Sequence, residues 1–138
     1  GGKLILKGIQ DVEDAKLAAA TGPDAIIVSN HGGRQLFVAE SSMRARPAVI
    51  DAVGSQIEVY MDGGIRSGQD VLKAVALGAK GVYIGRSFVY GLGAMGEAGV
   101  TKALEIIHRE MDITMALCGK TNMAQVDKSI LLPGSYPA

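Results

Sequence analysis

Four short apolar runs recur along this 138-residue chain, each closed by glycine or charged residues and followed by a helix-like stretch. They are Leu4-Ile5-Leu6, closed by Lys7-Gly8-Ile9; residues 25–28, closed by Ser29-Asn30-His31-Gly32-Gly33-Arg34; residues 57–61, closed by Asp62-Gly63-Gly64; and residues 81–84, closed by Gly85-Arg86. The runs are continuous rather than alternating, which predicts strands buried on both faces and therefore a parallel sheet. Their spacing, roughly two to three dozen residues, suits βαβ units with helical crossovers. Asp11 is placed to cap a first helix ending near Ala20, and Ser42 opens a second, with Pro47 near its first turn, that stops before Gly54. Ser67 caps a third, with Asp70 at the capping-box position, and Gly78 ends it. A short helical piece is expected after Ser87 and a longer helix over residues 100–117; the tail from Gly119 has little periodicity and two prolines.

Hydrophobic residues make up 48% and charged residues 20%, which excludes a disordered chain. Fourteen basic residues balance fourteen acidic ones, so no general attraction to nucleic acid or anionic membrane is expected, and any anion site must be local. A single Cys118 rules out an internal disulfide and suits a reducing compartment, hence a cytoplasmic expectation. No apolar run reaches the ~20 residues of a membrane span. There is no linker, so residues 1–138 read as one domain; the strand that follows Gly1-Gly2-Lys3 almost at once is expected of a piece of a larger unit.

Four βα units leave two architectures open: a small open sheet covered on both faces, or half of an eight-stranded barrel. Both place ligands at the C-terminal ends of the strands. Those ends carry Lys7; Ser29, His31 and Arg34; Asp62, Gly63, Gly64 and Arg66; and Gly85 and Arg86. Gly85-Arg86 before a helix reads either as a phosphate cradle or as a tight turn with a solvated arginine. Asp62-Gly63-Gly64-Ile65-Arg66 has the same two readings. A strand-end histidine can accept a proton near neutrality, and Arg34 three residues on could hold a carboxylate beside it. His108 sits among Glu105, Arg109 and Glu110 and reads as helix surface.

The segment Ser29-Asn30-His31-Gly32-Gly33-Arg34-Gln35-Leu36 resembles the signature of FMN-dependent 2-hydroxy-acid oxidases and dehydrogenases, the family of glycolate oxidase, lactate oxidase and flavocytochrome b2. Leu6-Lys7-Gly8-Ile9, Asp62-Gly63-Gly64-Ile65-Arg66-Ser67-Gly68 and Tyr83-Ile84-Gly85-Arg86 match in the same order and spacing. The resemblance implies an α/β fold that is half of a (β/α)8 TIM barrel: four βα units with parallel strands, corresponding to the fifth to eighth of the family, its C-terminal half. It implies FMN as cofactor and oxidation of an L-2-hydroxy acid to a 2-keto acid, with electrons passing to oxygen or another acceptor. It implies Lys7 at the flavin N1/O2 edge, Ser29 against the flavin, His31 as base and Arg34 on the substrate carboxylate. Asp62, Gly63, Gly64 and Arg66 would hold the ribityl-phosphate, and Gly85 and Arg86 the phosphate.

The family's first four strands would supply substrate tyrosines, an aspartate partner for the histidine and much of the flavin pocket. Their absence from this chain implies that the isolated half is inactive, and that it is completed by a missing N-terminal half or by homo-oligomerisation. The inner faces of residues 25–28 and 57–61 are expected to meet water in a lone half. The alternative is a non-catalytic, self-associating half barrel that binds only phosphate or FMN. Two departures from the family pattern stand out, Phe37 for aspartate and Arg46 for leucine. The partner implied is a small 2-hydroxy acid, with neither nucleic acid nor membrane, and the compartment is the cytoplasm, or the peroxisome for a eukaryotic source.

Overall fold

Asp11 opens the first helix as its position requires: the carboxylate accepts the N–H groups of Glu13 at 2.8 Å and Asp14 at 3.2 Å, and α1 spans Val12–Ala20. The computed structural model describes residues 1–136, so Pro137, in the tail read as irregular, lies outside the described residues. Strands β1 (Ile5–Ile9), β2 (Ala25–Val28) and β3 (Glu58–Met61) form a parallel sheet in the order β1-β2-β3. Helix α2 (Ser42–Val53) joins β2 to β3, α3 (Gly68–Ala76) follows β3, and α4 runs over Arg86–Leu117.

The register separates the two faces. Leu6, Ile26 and Val59 align across the sheet, as do Ile9, Val28 and Met61. These six side chains pack against the helices: Ala15 and Ala18 of α1, Ala45, Val49 and Val53 of α2, and Ala74 of α3. Fully burying a side chain such as Ile26, Val28 or Val49 stabilises the fold by about 1.5–3 kcal/mol. All three helices therefore lie on one face. Right-handed crossovers produce that arrangement when strand order advances in a single direction. A sheet covered on both faces would need the order to reverse, and here it does not.

The opposite face carries Ile5 and Lys7, Ala25 and Ile27, and Glu58 and Tyr60. It is less wet than the sequence reading expects. Ala25 and Ile27 are only 3% and 6% exposed, because β2 is central and flanked on that face by the side chains of both neighbours. The edges differ. β1 was expected to be buried, yet Ile5 and Lys7 are exposed and Leu6 and Ile9 half-buried, since the strand has a neighbour on one side only. β3 alternates, with Val59 and Met61 buried and Glu58 exposed. Burial on both faces thus holds for β2 alone.

The fourth apolar run is shorter than a strand. Val82 forms a single parallel bridge with Met61, supported by hydrogen bonds from Lys80 N to Val59 O (2.8 Å), Met61 N to Gly81 O (3.2 Å) and Tyr83 N to Met61 O (2.8 Å). The ladder stops there because no strand among the described residues pairs beyond it and Gly85 turns the chain into α4. The two helices expected here are both present within the α4 span: a short one beginning at Arg86 and a longer one ending at Leu117, separated by a kink with non-helical backbone at Met95 and Gly96. α3 and α4 approach closely: the Gly68 N–H donates to Glu110 Oε2 at 2.9 Å, where a β-carbon would collide with the Met111 backbone. The tail makes two short turns, Met123–Gln125 and Lys128–Ile130. Val126 is buried against Leu72, Ala76 and Met115.

Candidate active site

The strand ends carry polar residues whose backbones are held in fixed turns. After β2, Asn30 organises the loop: its Oδ1 accepts the Gly32 N–H at 2.9 Å, its Nδ2 donates to Glu40 O, and its own N–H donates to Ser42 Oγ at 3.1 Å. Ser29 Oγ accepts the His31 N–H at 3.0 Å. His31 has φ 53°, the only non-glycine residue with positive φ among the described residues. For an L-residue this conformation costs about 1–2 kcal/mol, and such strain concentrates at functional sites. After β3, the Asp62 N–H donates to Val28 O, and the chain turns at Gly63 with φ 86°. A β-carbon at Gly63 would lie 2.9 Å from Asn30 Oδ1 and 3.0 Å from Ser42 Oγ, so glycine allows the two loops to meet. The Arg66 N–H donates to Asp70 Oδ2 at 3.1 Å, while Ser67 Oγ accepts the Asp70 N–H. Asp70 thus fixes the start of α3 and the arginine before it together.

These turns surround one open cleft of about 250 Å³. Its lining includes His31, Arg34, Asp62, Gly63, Gly64, Arg66, Gly85 and Arg86, all of them residues picked out from the sequence. Tyr83, Ser87 and Val89 join them. Among the described residues no ion pair involves His31, Arg34, Arg66 or Arg86, so three guanidinium groups face the cleft without a carboxylate partner. Lys7 and Ser29 lie beside it, in an adjoining groove that shares His31. Lys7 Nζ donates to Ser29 Oγ at 3.0 Å and pairs with Asp62 Oδ2 at 2.9 Å. The other carboxylate oxygen, Asp62 Oδ1, is buried with no partner. Asp62 thus links the first strand end to the third and keeps one acceptor free.

The FMN-dependent dehydrogenase family model matches residues 1–133 of the sequence. The chain belongs to this family. It is 54% identical over 130 residues to the L-lactate dehydrogenase of Caulobacter vibrioides and 48% identical over 131 residues to that of Pseudomonas aeruginosa. These matches take in 94% and 95% of this chain, which spans about a third (34%) of each relative. Among solved structures, mandelate oxidase with benzoyl-formic acid superposes with a TM-score of 0.86 at 44% identity, over 90% of this chain and 37% of that one. The monotopic membrane protein (S)-mandelate dehydrogenase superposes with 0.89 at 39%, over 94% and 34%. In this chain no helix among the described residues is long and apolar enough to cross a membrane.

The cofactor of this FMN-dependent dehydrogenase family member is FMN. Its residues fit that group. Unpaired arginines beside glycine turns suit a phosphate dianion, and the orphaned buried Asp62 oxygen suits a hydroxyl donor such as those of a ribityl chain. Two features of the site escaped the sequence reading. Asn30 carries no chemical role of its own in the sequence, but an asparagine two residues before a glycine is the mark of an Asx turn. The Lys7–Asp62 pair joins residues distant in sequence and left no local signal.

Proposed function

We propose that this chain forms the part of an FMN-dependent 2-hydroxy-acid dehydrogenase that holds the flavin phosphate and the substrate carboxylate. In this reading it is half of a (β/α)8 barrel, with its strands taking the fifth to eighth places. The observation that carries it is the gathering of His31 and three unpaired arginines around one cleft. Arg66 and Arg86, with the backbone of Gly63, Gly64 and Gly85, take the phosphate. Lys7 and Ser29 stand at the flavin ring, and Asp62 accepts from the ribityl chain. Arg34 anchors the carboxylate of a small L-2-hydroxy acid. His31 accepts a proton as the hydroxy acid becomes a keto acid with the loss of two protons and two electrons. FMN, when bound, supplies the acceptor for the electrons. The free, exposed Cys118 accords with a reducing, cytoplasmic setting. Arg86→Ala is expected to weaken FMN binding by about 1.5–3 kcal/mol, the scale of a hydrogen bond to a charged group. Titration with FMN, followed by flavin fluorescence, measures this; unchanged affinity would remove Arg86 from the site.

The one-sided covering of the sheet favours a second feature. Among the described residues the outer edges of β1 and of residues 81–84 have no strand partner, and Ile5 and Tyr83 are exposed on or beside the bare face. Closing two such units into a ring would remove both edges. The protein is therefore expected to sediment at equilibrium as two or more chains. A folded monomer at micromolar concentration would contradict self-association and leave a separate N-terminal half as the route to a closed barrel.

A further inference from the structure

We infer that Arg86 is a positioning residue for His31, acting through Gly32, so that an anion in the cleft sets where the imidazole stands; this rests on the function proposed above. The guanidinium of Arg86 lies along Gly32. A β-carbon there would be 3.1 Å from Nη2, 3.6 Å from Cζ and 4.0 Å from Nε, so the guanidinium occupies the side of the turn that a side chain at this position would need. Gly32 is bonded directly to His31, whose backbone is in the left-handed conformation. From beneath, the turn is fixed by Ser29 Oγ on the His31 N–H and Asn30 Oδ1 on the Gly32 N–H. The imidazole itself makes no side-chain hydrogen bond or ion pair among the described residues, so its placement follows that of the turn. Arg86 has no carboxylate partner there either. A phosphate would draw and orient the guanidinium by charge-assisted, two-pronged hydrogen bonds. Because that group stands where a β-carbon on Gly32 would meet it, its movement changes the space open to the turn that carries His31. A lysine would keep the charge but not the plane, and so would bind the anion without transmitting its presence.

The chain's two histidines make this measurable. His31 is in the site, and His108 is exposed on α4 and serves as an internal reference. Inorganic phosphate is titrated at constant pH while the imidazole resonances are followed by NMR, with calorimetry reporting binding independently, in the parent chain and in Arg86→Lys. The expected result is a saturable shift of His31 with His108 still. In Arg86→Lys binding is expected to weaken by about tenfold, and the His31 shift at saturation to fall well below that of the parent. Phosphate bound to the parent with His31 unmoved would overturn the inference and leave the proposed function standing. So would an equal His31 shift in both proteins, which would mean that phosphate charge alone accounts for it. No phosphate binding to the parent would overturn both.

Discussion

On its own, the 138-residue chain is expected to reduce added FMN with L-lactate no faster than FMN is reduced free in solution. In the proposed reading Arg34 would hold the substrate carboxylate, but nothing among the described residues supports His31 as a base. A histidine that gains a proton in the reaction needs a carboxylate to orient it and stabilise the imidazolium. In the serine-protease triad, loss of that function costs about 10⁴-fold in rate. No carboxylate pairs with His31 among the described residues. The bare sheet face also leaves the cleft open, so water weakens every charge–charge interaction within it. Anaerobic mixing with lactate, followed by the bleaching of flavin absorbance, measures the rate. Rapid bleaching that disappears in His31→Ala would show that these residues suffice for the chemistry.

Arg46→Leu is expected to stabilise the fold by about 2–4 kcal/mol, raising the denaturant midpoint with little change in slope. Arg46 has no exposed surface, and its one polar contact is from Nη1 to Met61 Sδ at 3.0 Å, a weak acceptor. Nε and Nη2 are buried and unpartnered. Burial depresses its pKa from the ordinary arginine value to about 10, since the charged form loses its hydration without gaining a counter-charge. The sign follows from linkage. The folded-state pKa lies below the unfolded one, so the unfolded chain holds the proton more tightly and the native state is penalised wherever arginine is charged. That penalty is complete below about pH 10 and shrinks as pH rises above it towards the ordinary arginine pKa. The advantage of the leucine variant should therefore be constant near neutrality and narrow in strong alkali. A variant no more stable than the parent would mean that Arg46 finds a partner in solution.

Much of this was legible because it is local. Asp11 and Ser67 announce their helices by capping chemistry that depends on a few neighbouring residues, and both cap as read. The site was legible for a different reason. Parallel βα units bring strand ends together, so naming the polar residues after each apolar run names one cleft and, with Lys7 and Ser29, the groove that adjoins it. What could not be read depends on which neighbours a segment finds in space. β1 and β2 are similar apolar runs, yet one is an exposed edge and the other the buried centre. The run at 81–84 forms one bridge because no strand among the described residues lies beyond it. Arg46 was visible as a charge in place of leucine, but its complete burial came from the packing of α2 against Met61. Phe37, the other departure, lies in a loop and is 94% exposed; nothing in the structure explains it.

In the proposed function the cleft is built for the phosphate end of FMN. Calorimetric titration of the purified chain with FMN and, separately, with riboflavin tests it directly, because the two ligands share the isoalloxazine ring and ribityl chain and differ only in the phosphate. The unpaired Arg66 and Arg86 beside the glycine turns predict that FMN binds and that riboflavin binds more weakly by at least about tenfold, the scale of one hydrogen bond to a charged group. Equal affinity for the two, or binding of neither, would contradict the account.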